Sequence, residues 1–173
     1  MNKKTTFLVL FIMCIATLSA QQYKRIISLA PSITQSLYYL GAEDKLVGRT
    51  SYCVAAENDN IEIVASAVTL NMEKAVSMKP DLVLVLGLTD QKDIETLRKF
   101  GIEVMVYESP KTFKEIAEQF VELGKMVGKA NVAQQIIAES EERIKEIQKE
   151  RAGKPVPNIF FQLGSNPLFT VTP

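Results

Sequence analysis

Histidine is absent from all 173 residues of this sequence. Without it, no Ser-His-Asp triad or Cys-His pair can form, and the commonest transition-metal ligand is missing. An excess of basic charge is also missing, because 20 lysines and arginines are balanced by 20 acidic residues. Nucleic-acid binding normally requires a basic surface, so the composition argues against that partner. We therefore expect no catalytic residue, no metal or cofactor site and no nucleic-acid partner.

The N-terminus carries the longest apolar run of the sequence. Two lysines precede the run Phe7–Leu18, which is followed by small residues up to Ala20. This pattern is typical of a secretory signal peptide, with cleavage expected near Ala20. The run is shorter than the roughly 20 apolar residues that a membrane-spanning helix needs. A lipid anchor on Cys14 is the less favoured alternative, because bulky Met13 precedes this cysteine and the apolar run continues past it. The sequence thus predicts a periplasmic protein.

Cysteine is scarce as well. Removal of the N-terminal segment would leave Cys53 as the only thiol, so no internal disulfide can form even in an exported chain. It would also remove two lysines and leave 18 basic against 20 acidic residues, a net charge of −2. The remaining length of about 150 residues suits one domain whose core is large enough to be stable without disulfides.

Strands and helices alternate along the rest of the chain. The segment "PDLVLVLG", residues 80–87, is apolar without alternation, which is typical of a parallel strand buried on both faces. Asn71 and Thr112 are placed to cap the helices that follow them. The predicted strands are Lys24–Leu29, Leu46–Thr50, Ile61–Val64, Pro80–Gly87 and Ile102–Tyr107, and the predicted helices are Ser32–Leu40, Met72–Met78, Gln91–Phe100 and Thr112–Val127. The alternation predicts an α/β fold, with a parallel Rossmann-like sheet flanked by helices on both faces.

A long, strongly charged helix is predicted over Asn131–Arg151, about 30 Å in length. Its larger apolar residues form one narrow stripe, made of Val132, Ile136, Ile144 and Ile147. Gly153 ends the helix, and the segment "NIFFQLG" begins a new strand after it. We therefore expect four parts: a signal peptide (1–20), an N-terminal α/β lobe (21–128), a linking helix (129–153) and the start of a second lobe (154–173) that this chain does not complete.

The loops after the strands are the candidate ligand sites, because ligands of open parallel sheets bind outside the carboxyl ends of the strands. Three loops qualify, residues 30–34, 51–53 and 87–90, and none has the glycine spacing of a phosphate-binding loop. Ser32 is either a ligand-binding hydroxyl or the cap of its helix. Tyr52 either stacks on a flat ligand or is a half-buried side chain at a strand end. Cys53 is interpreted as a small, semi-buried residue, because no histidine accompanies it.

Four segments, in order and properly spaced, resemble a known family. They are "RIISLAPSITQSLYYLGAEDKLVGRTSYC", "NMEKAVSMKPDLVLV", "LRKFGIEVMVY" and "FFQLGSNPLFT". With them, the chain resembles the periplasmic substrate-binding proteins of ABC importers for cobalamin and iron-siderophores, whose two lobes are joined by one long helix. The last segment is most similar to the cobalamin-binding branch. The resemblance implies a monomeric binding protein, not an enzyme, that delivers a corrinoid, or alternatively a ferric siderophore or haem, to an inner-membrane permease.

The resemblance also implies which residues bind. Loops 30–34 and 51–53 would form one wall of a cleft between two lobes. The ligand-binding residues that it assigns are Ala30, Pro31, Ser32, Tyr52, Cys53, Ala67, Leu86 and Leu163. Glu73 matches the glutamate that docks onto arginines of the permease. Cobalamin binders of the family carry aromatic rings at the positions of Ala67 and Leu86, so this chain departs from them there.

Two other functions stay open on the sequence alone. One is a small α/β enzyme that uses Asp90 or Glu108 as a general base. The other is a lone lobe that binds no small molecule and acts only by docking to a protein partner. Because the second lobe is missing, the sequence is expected to be a truncated or fragmentary member of the family.

Overall fold

The computed structural model describes residues 22–66, 69–87 and 89–156, together with 158, 160, 162–165 and 168–170. Beyond residue 160 only the backbone is described. The predicted signal peptide therefore lies outside the described residues. Within them, no helix is both long enough and apolar enough to cross a membrane. The chain divides into two compact units, Met1–Ile137 and Ala138–Pro173.

Five parallel strands form the sheet of the first unit, in the order β3-β2-β1-β4-β5. They are β1 (Ile26–Ser28), β2 (Leu46–Thr50), β3 (Glu62–Ala65), β4 (Leu82–Leu86) and β5 (Glu103–Tyr107). Each strand lies within two residues of the bounds predicted for it. The prediction of an α/β fold with a parallel sheet is thus confirmed.

Helices cover both faces of this sheet. They are α1 (Pro31–Tyr39), α2 (Met72–Ser77), α3 (Gln91–Lys99), α4 (Phe113–Met126) and α5 (Ala130–Arg151). One face carries α1, α4 and the first turn of α5, and the other carries α2 and α3. In β4, Leu82 and Leu84 join the first core cluster while Val83 and Val85 join the second, and all four are at most 1% exposed. Burial of each such side chain stabilises the fold by about 1.5–3 kcal/mol. The unbroken apolar run therefore belongs to a strand buried on both faces, as predicted.

The two predicted helix caps are confirmed, and the cap alternative for Ser32 is wrong. Asn71 and Thr112 each accept a hydrogen bond from the backbone N–H three residues on, at 2.9 and 3.2 Å. Ser32 does not cap α1, because the N-cap residue is Ala30 and no side chain accepts a bond there. Instead, Pro31 opens the helix, where its fixed φ is favourable and its missing N–H leaves no unpaired donor.

The order of the strands creates an opening at one edge of the sheet. The chain places β2 and β3 on one side of β1 and then returns to place β4 on the other side. The helices that follow β1 and β4 lie on opposite faces. The loops after these two strands therefore separate at their carboxyl ends, which is where ligands of such sheets bind.

Part of the apolar stripe predicted for α5 is exposed. Val132 and Ile147 are 38% and 44% exposed. The buried residue of the first turn is Ala133, whose methyl group would lie 2.6 Å from a Cβ placed on Gly124 of α4. Two helices approach this closely only where the facing side chains are small. A stripe drawn through large apolar residues misses such a contact.

The second unit holds the part of α5 from Ala138 onward and an antiparallel hairpin of β6 (Gln162–Ser165) and β7 (Leu168–Thr170). Gly153 has a φ of +76°, a left-handed conformation that favours glycine, and it lies just after the helix as predicted. The strand predicted within residues 158–164 overlaps β6, whereas β7 was not predicted.

Candidate functional site

An open groove of about 700 Å³ lies at the carboxyl ends of the strands, where the loops after β1 and β4 separate. Its lining combines apolar side chains, hydroxyl groups and two carboxylates: Leu29, Pro31, Thr50, Tyr52, Ala65, Ser66, Thr69, Leu70, Leu86, Thr89, Asp90 and Asp93. Its volume is in the range of small-molecule sites, and its position is the expected one for an open parallel sheet. This groove is the candidate binding site of the first unit.

A buried polar network adjoins the groove. Thr34 Oγ1 lies 2.9 Å from Ser28 Oγ, 3.0 Å from Cys53 Sγ and 3.1 Å from the Ala30 carbonyl oxygen. Thr50 Oγ1 lies 3.2 Å from Cys53 Sγ. All five of these residues are at most 4% exposed. Because the network joins α1 to the ends of β1 and β2, it fixes the loop that follows β2.

The structure does not place the side chains of Ala30 and Cys53 on the groove surface, since both residues are 0% exposed. Cys53 belongs to the network, and it is buried more completely than its sequence context indicates. Ser28 and Thr50 complete the network and were missed from the sequence. The available signal was a polar residue at the last position of each of two buried strands.

Tyr52 presents its ring to the groove. The residue is 59% exposed and lines the groove. Its backbone N–H donates to Thr50 Oγ1 at 3.2 Å, and Thr50 in turn contacts Cys53. Buried contacts therefore hold the loop that carries the exposed ring. A ring held in this way is able to stack on a flat ligand.

Pro31 and Leu86 line the groove from the two central strands. Leu86 also borders a second cavity, of about 260 Å³, which lies between α1, α4 and the end of β5. Ser32 lines this second cavity. Tyr107 lies there too, and burial raises the pKa of its hydroxyl, so the side chain stays neutral at physiological pH. The two concave surfaces thus meet at Leu86.

Glu73 lies in the first turn of α2 and is exposed. The next residue, Lys74, is occupied by an ion pair with Glu62, with 2.6 Å between nitrogen and oxygen. This ammonium lowers the pKa of the Glu62 carboxyl. Glu73 itself forms no ion pair with any described residue, so its carboxylate is open to solvent and to a partner. Since α2 begins just after Leu70, a groove residue, Glu73 lies at the groove edge of the sheet.

Two carboxylates line the groove at the start of α3. Asp90 is the N-cap, and its Oδ1 accepts the Lys92 backbone N–H at 2.8 Å, whereas Asp93 is half-buried in the first turn. Glu108 follows β5, the strand next to β4 in the sheet. A carboxylate oxygen of Glu108 lies 2.8 Å from the position that a Cβ on Gly87 would occupy. In the described part of the chain, no group of three or more His, Cys, Asp or Glu residues is arranged to hold a metal ion.

Two residues assigned to the ligand from the sequence cannot be located in the groove. Ala67 lies outside the described residues, and Leu163 falls in β6 of the second unit, where only the backbone is described. The groove also contains residues that sequence reasoning missed: Leu29, Thr50, Ala65, Ser66, Thr69, Leu70 and Asp93. The first four of these residues lie at or next to the end of a strand, which was the signal available for them, whereas Thr69, Leu70 and Asp93 lie further along the chain.

Known proteins match this chain in sequence and in fold. The vitamin B12-binding protein of Yersinia pseudotuberculosis is 31% identical over 164 residues, which cover 94% of this chain and 58% of that protein. The solved structure of the periplasmic vitamin B12 binding protein of Vibrio cholerae superposes with a TM-score of 0.71 and 30% identity, over 86% of this chain and 59% of that one. A periplasmic haem binding protein of the same organism has a TM-score of 0.73 but 22% identity, covering 80% and 54%, and supports the fold alone.

The chain spans 58% of the length of the Yersinia relative. The profile of the family described as "Periplasmic binding protein" matches residues 26–171, from β1 to the end of the hairpin. This match includes every element described above. The chain belongs to the periplasmic binding protein family.

Proposed function

We propose that this chain is the periplasmic substrate-binding component of an ABC importer, and that it captures a corrinoid such as cobalamin. The observation that carries the proposal is the groove at the carboxyl ends of β1 to β4, with the exposed Tyr52 ring beside it. A large flat ligand is able to lie across an open surface of this kind. The relatives at 30% and 31% identity are named for vitamin B12 binding, and this favours a corrinoid over a ferric siderophore or haem.

The groove would contact one face of the ligand. In our proposal, residues 129–153 are a linking helix, residues 154–173 begin a second lobe, and Leu163 is a ligand-binding residue of that lobe. A ligand covered on one face buries far less surface than one enclosed in a cleft. We therefore expect weak binding by this chain, with a Kd above about 1 µM.

Delivery of the ligand requires a docking surface for the permease. We propose that exposed Glu73 is part of it and pairs with an arginine of the permease, because no described residue neutralises its charge. The chain would act as a monomer, exported by a signal peptide at residues 1–20. We propose no catalytic role. The alternative base Asp90 is engaged in capping α3, and Glu108 packs against Gly87.

The proposal is tested by titrating the ¹⁵N-labelled chain with cyanocobalamin, haemin and a ferric catecholate siderophore, with the amide resonances as the readout. We expect cyanocobalamin to shift the resonances of groove residues at the lowest concentration. Tyr52→Ala should weaken its binding about three- to tenfold, because one stacking contact is lost. The matched control is Tyr39→Ala, which removes a ring of similar exposure from α1 outside the groove lining. Equal losses in both variants, or stronger binding of haemin at the groove, would refute the proposal.

A further inference from the structure

We infer that the groove selects uncharged, amide-bearing ligands against anionic ones, and that Asp90 and Asp93 impose this selection. The inference rests on the proposed function, because it concerns the ligand of the same groove. Asp90 and Asp93 would discriminate among corrinoids, haem and siderophores by charge and by hydrogen bonding.

The first observation is the charge of the lining. Asp90 and Asp93 are its charged residues, and neither lysine nor arginine occurs among the described residues that line the groove. Residues 67, 68 and 88, which adjoin lining residues in the sequence, are Ala, Val and Leu and add no charge. The lining of the first unit therefore carries two negative charges and no compensating positive one.

The second observation is that these carboxylates have no ion-pair partner. No described lysine or arginine nitrogen lies within 4.0 Å of either one. Asp93 is half-buried, so solvent screens its charge less than that of a fully exposed residue. An anionic group brought into the groove would meet both charges. Like charges placed together without a counter-charge oppose binding.

The third observation is the hydrogen-bonding capacity that the carboxylates leave unused. An ionised carboxylate has about four acceptor sites and no donor. Asp90 uses one of them for the Lys92 backbone N–H, and Asp93 accepts no bond from a described side chain. The free acceptors are available to N–H or O–H donors of a ligand. Primary carboxamides supply N–H donors and are uncharged. Ionised carboxylates and catecholates supply no donor and carry negative charge.

Corrinoids fit this requirement, because their rim carries neutral carboxamide side chains. Haem carries two propionates, and ferric catecholate complexes carry net negative charge. Asp90 and Asp93 would therefore increase the affinity for corrinoids and reduce the affinity for haem and for ferric catecholates. The selection requires no contact from a second lobe, so it should be measurable on this chain.

The test compares cyanocobalamin with its monocarboxylic acids, in which one peripheral amide is hydrolysed. These probes share shape and size and differ by one charge. We expect the chain to bind the neutral probe about tenfold more tightly at low ionic strength, with the ratio falling as salt is added. In the variant Asp90→Asn/Asp93→Asn, the preference should shrink to about twofold, because both charges are gone. Asparagine caps a helix as well as aspartate does, so α3 should be preserved.

The matched control is Glu95→Gln, which removes a carboxylate from an exposed site on α3 outside the groove lining and should keep the tenfold ratio. A thermal melt verifies that each variant is folded. Equal binding of the two probes, or an unchanged ratio in the double variant, would overturn the inference and leave the proposed function intact. If cyanocobalamin shifts no groove resonance at millimolar concentration, the proposed function fails and the inference fails with it.

Discussion

Replacing Thr34 by Val removes the central hydroxyl of the buried network and leaves the shape of the side chain nearly unchanged. Thr34 Oγ1 lies within 3.1 Å of three polar atoms, on Ser28, Ala30 and Cys53. Ser28 Oγ keeps the Ala30 carbonyl oxygen as an acceptor at 3.2 Å, and Cys53 Sγ keeps Thr50. Because each former partner keeps one contact, the cost should lie in the lower part of the range for a lost buried hydrogen bond, at about 1–2 kcal/mol.

For a chain of this size, that loss corresponds to a decrease in Tm of about 2–8 °C, measurable by circular dichroism. Ser36→Ala is the control, because it also removes a hydroxyl from α1. The Ser36 hydroxyl donates to the Ser32 carbonyl oxygen within the helix, and a back-bond of this kind contributes little to stability. A Thr34→Val protein that melts with the wild type, or a Ser36→Ala protein that melts as early as Thr34→Val, would refute the role we give to the network.

Other predictions test packing, docking and export. Gly124→Ala should lower the Tm, because overpacking against Ala133 costs about 1–3 kcal/mol, which exceeds the gain in helix propensity. Adding Ala133→Gly to this variant should restore part of the lost Tm. Glu73→Gln should leave the melt and ligand titration unchanged and weaken docking to reconstituted permease, since losing one partner of an interfacial charge pair typically costs about 2–5 kcal/mol; docking at the wild-type level would contradict the role of Glu73. Mass spectrometry of the exported chain should find Gln21 or Gln22 at the N-terminus, and an acyl chain on Cys14 would contradict the predicted signal peptide.

The sheet was predictable from the sequence because its strands depend on local pattern. The five consecutive apolar residues of β4 make both faces of the strand apolar, so they fit a strand that is buried on both sides. The helix caps at Asn71 and Thr112 were predictable for the same reason, because a cap depends on the residues of one turn.

Other features depend on contacts between distant parts of the chain and escaped prediction. The contact of Ala133 with Gly124 involves two small side chains, whose importance appears only when α4 and α5 are packed together. The network joins Ser28 on β1, Thr34 on α1 and Cys53 in the loop after β2, and no spacing rule relates them. The groove itself was located by the rule for strand ends, but which side chains face it depends on how each loop turns.

The burial of Cys53 protects the folded chain from disulfide formation at this thiol. Its thiol is 0% exposed and contacts two threonine hydroxyls, so a disulfide partner cannot reach it without opening the loop after β2. An unfolded chain, in contrast, exposes the same thiol and is able to link to another copy. Dimers linked through Cys53 in an oxidising compartment would thus report failed folding, because the native fold keeps this thiol out of reach.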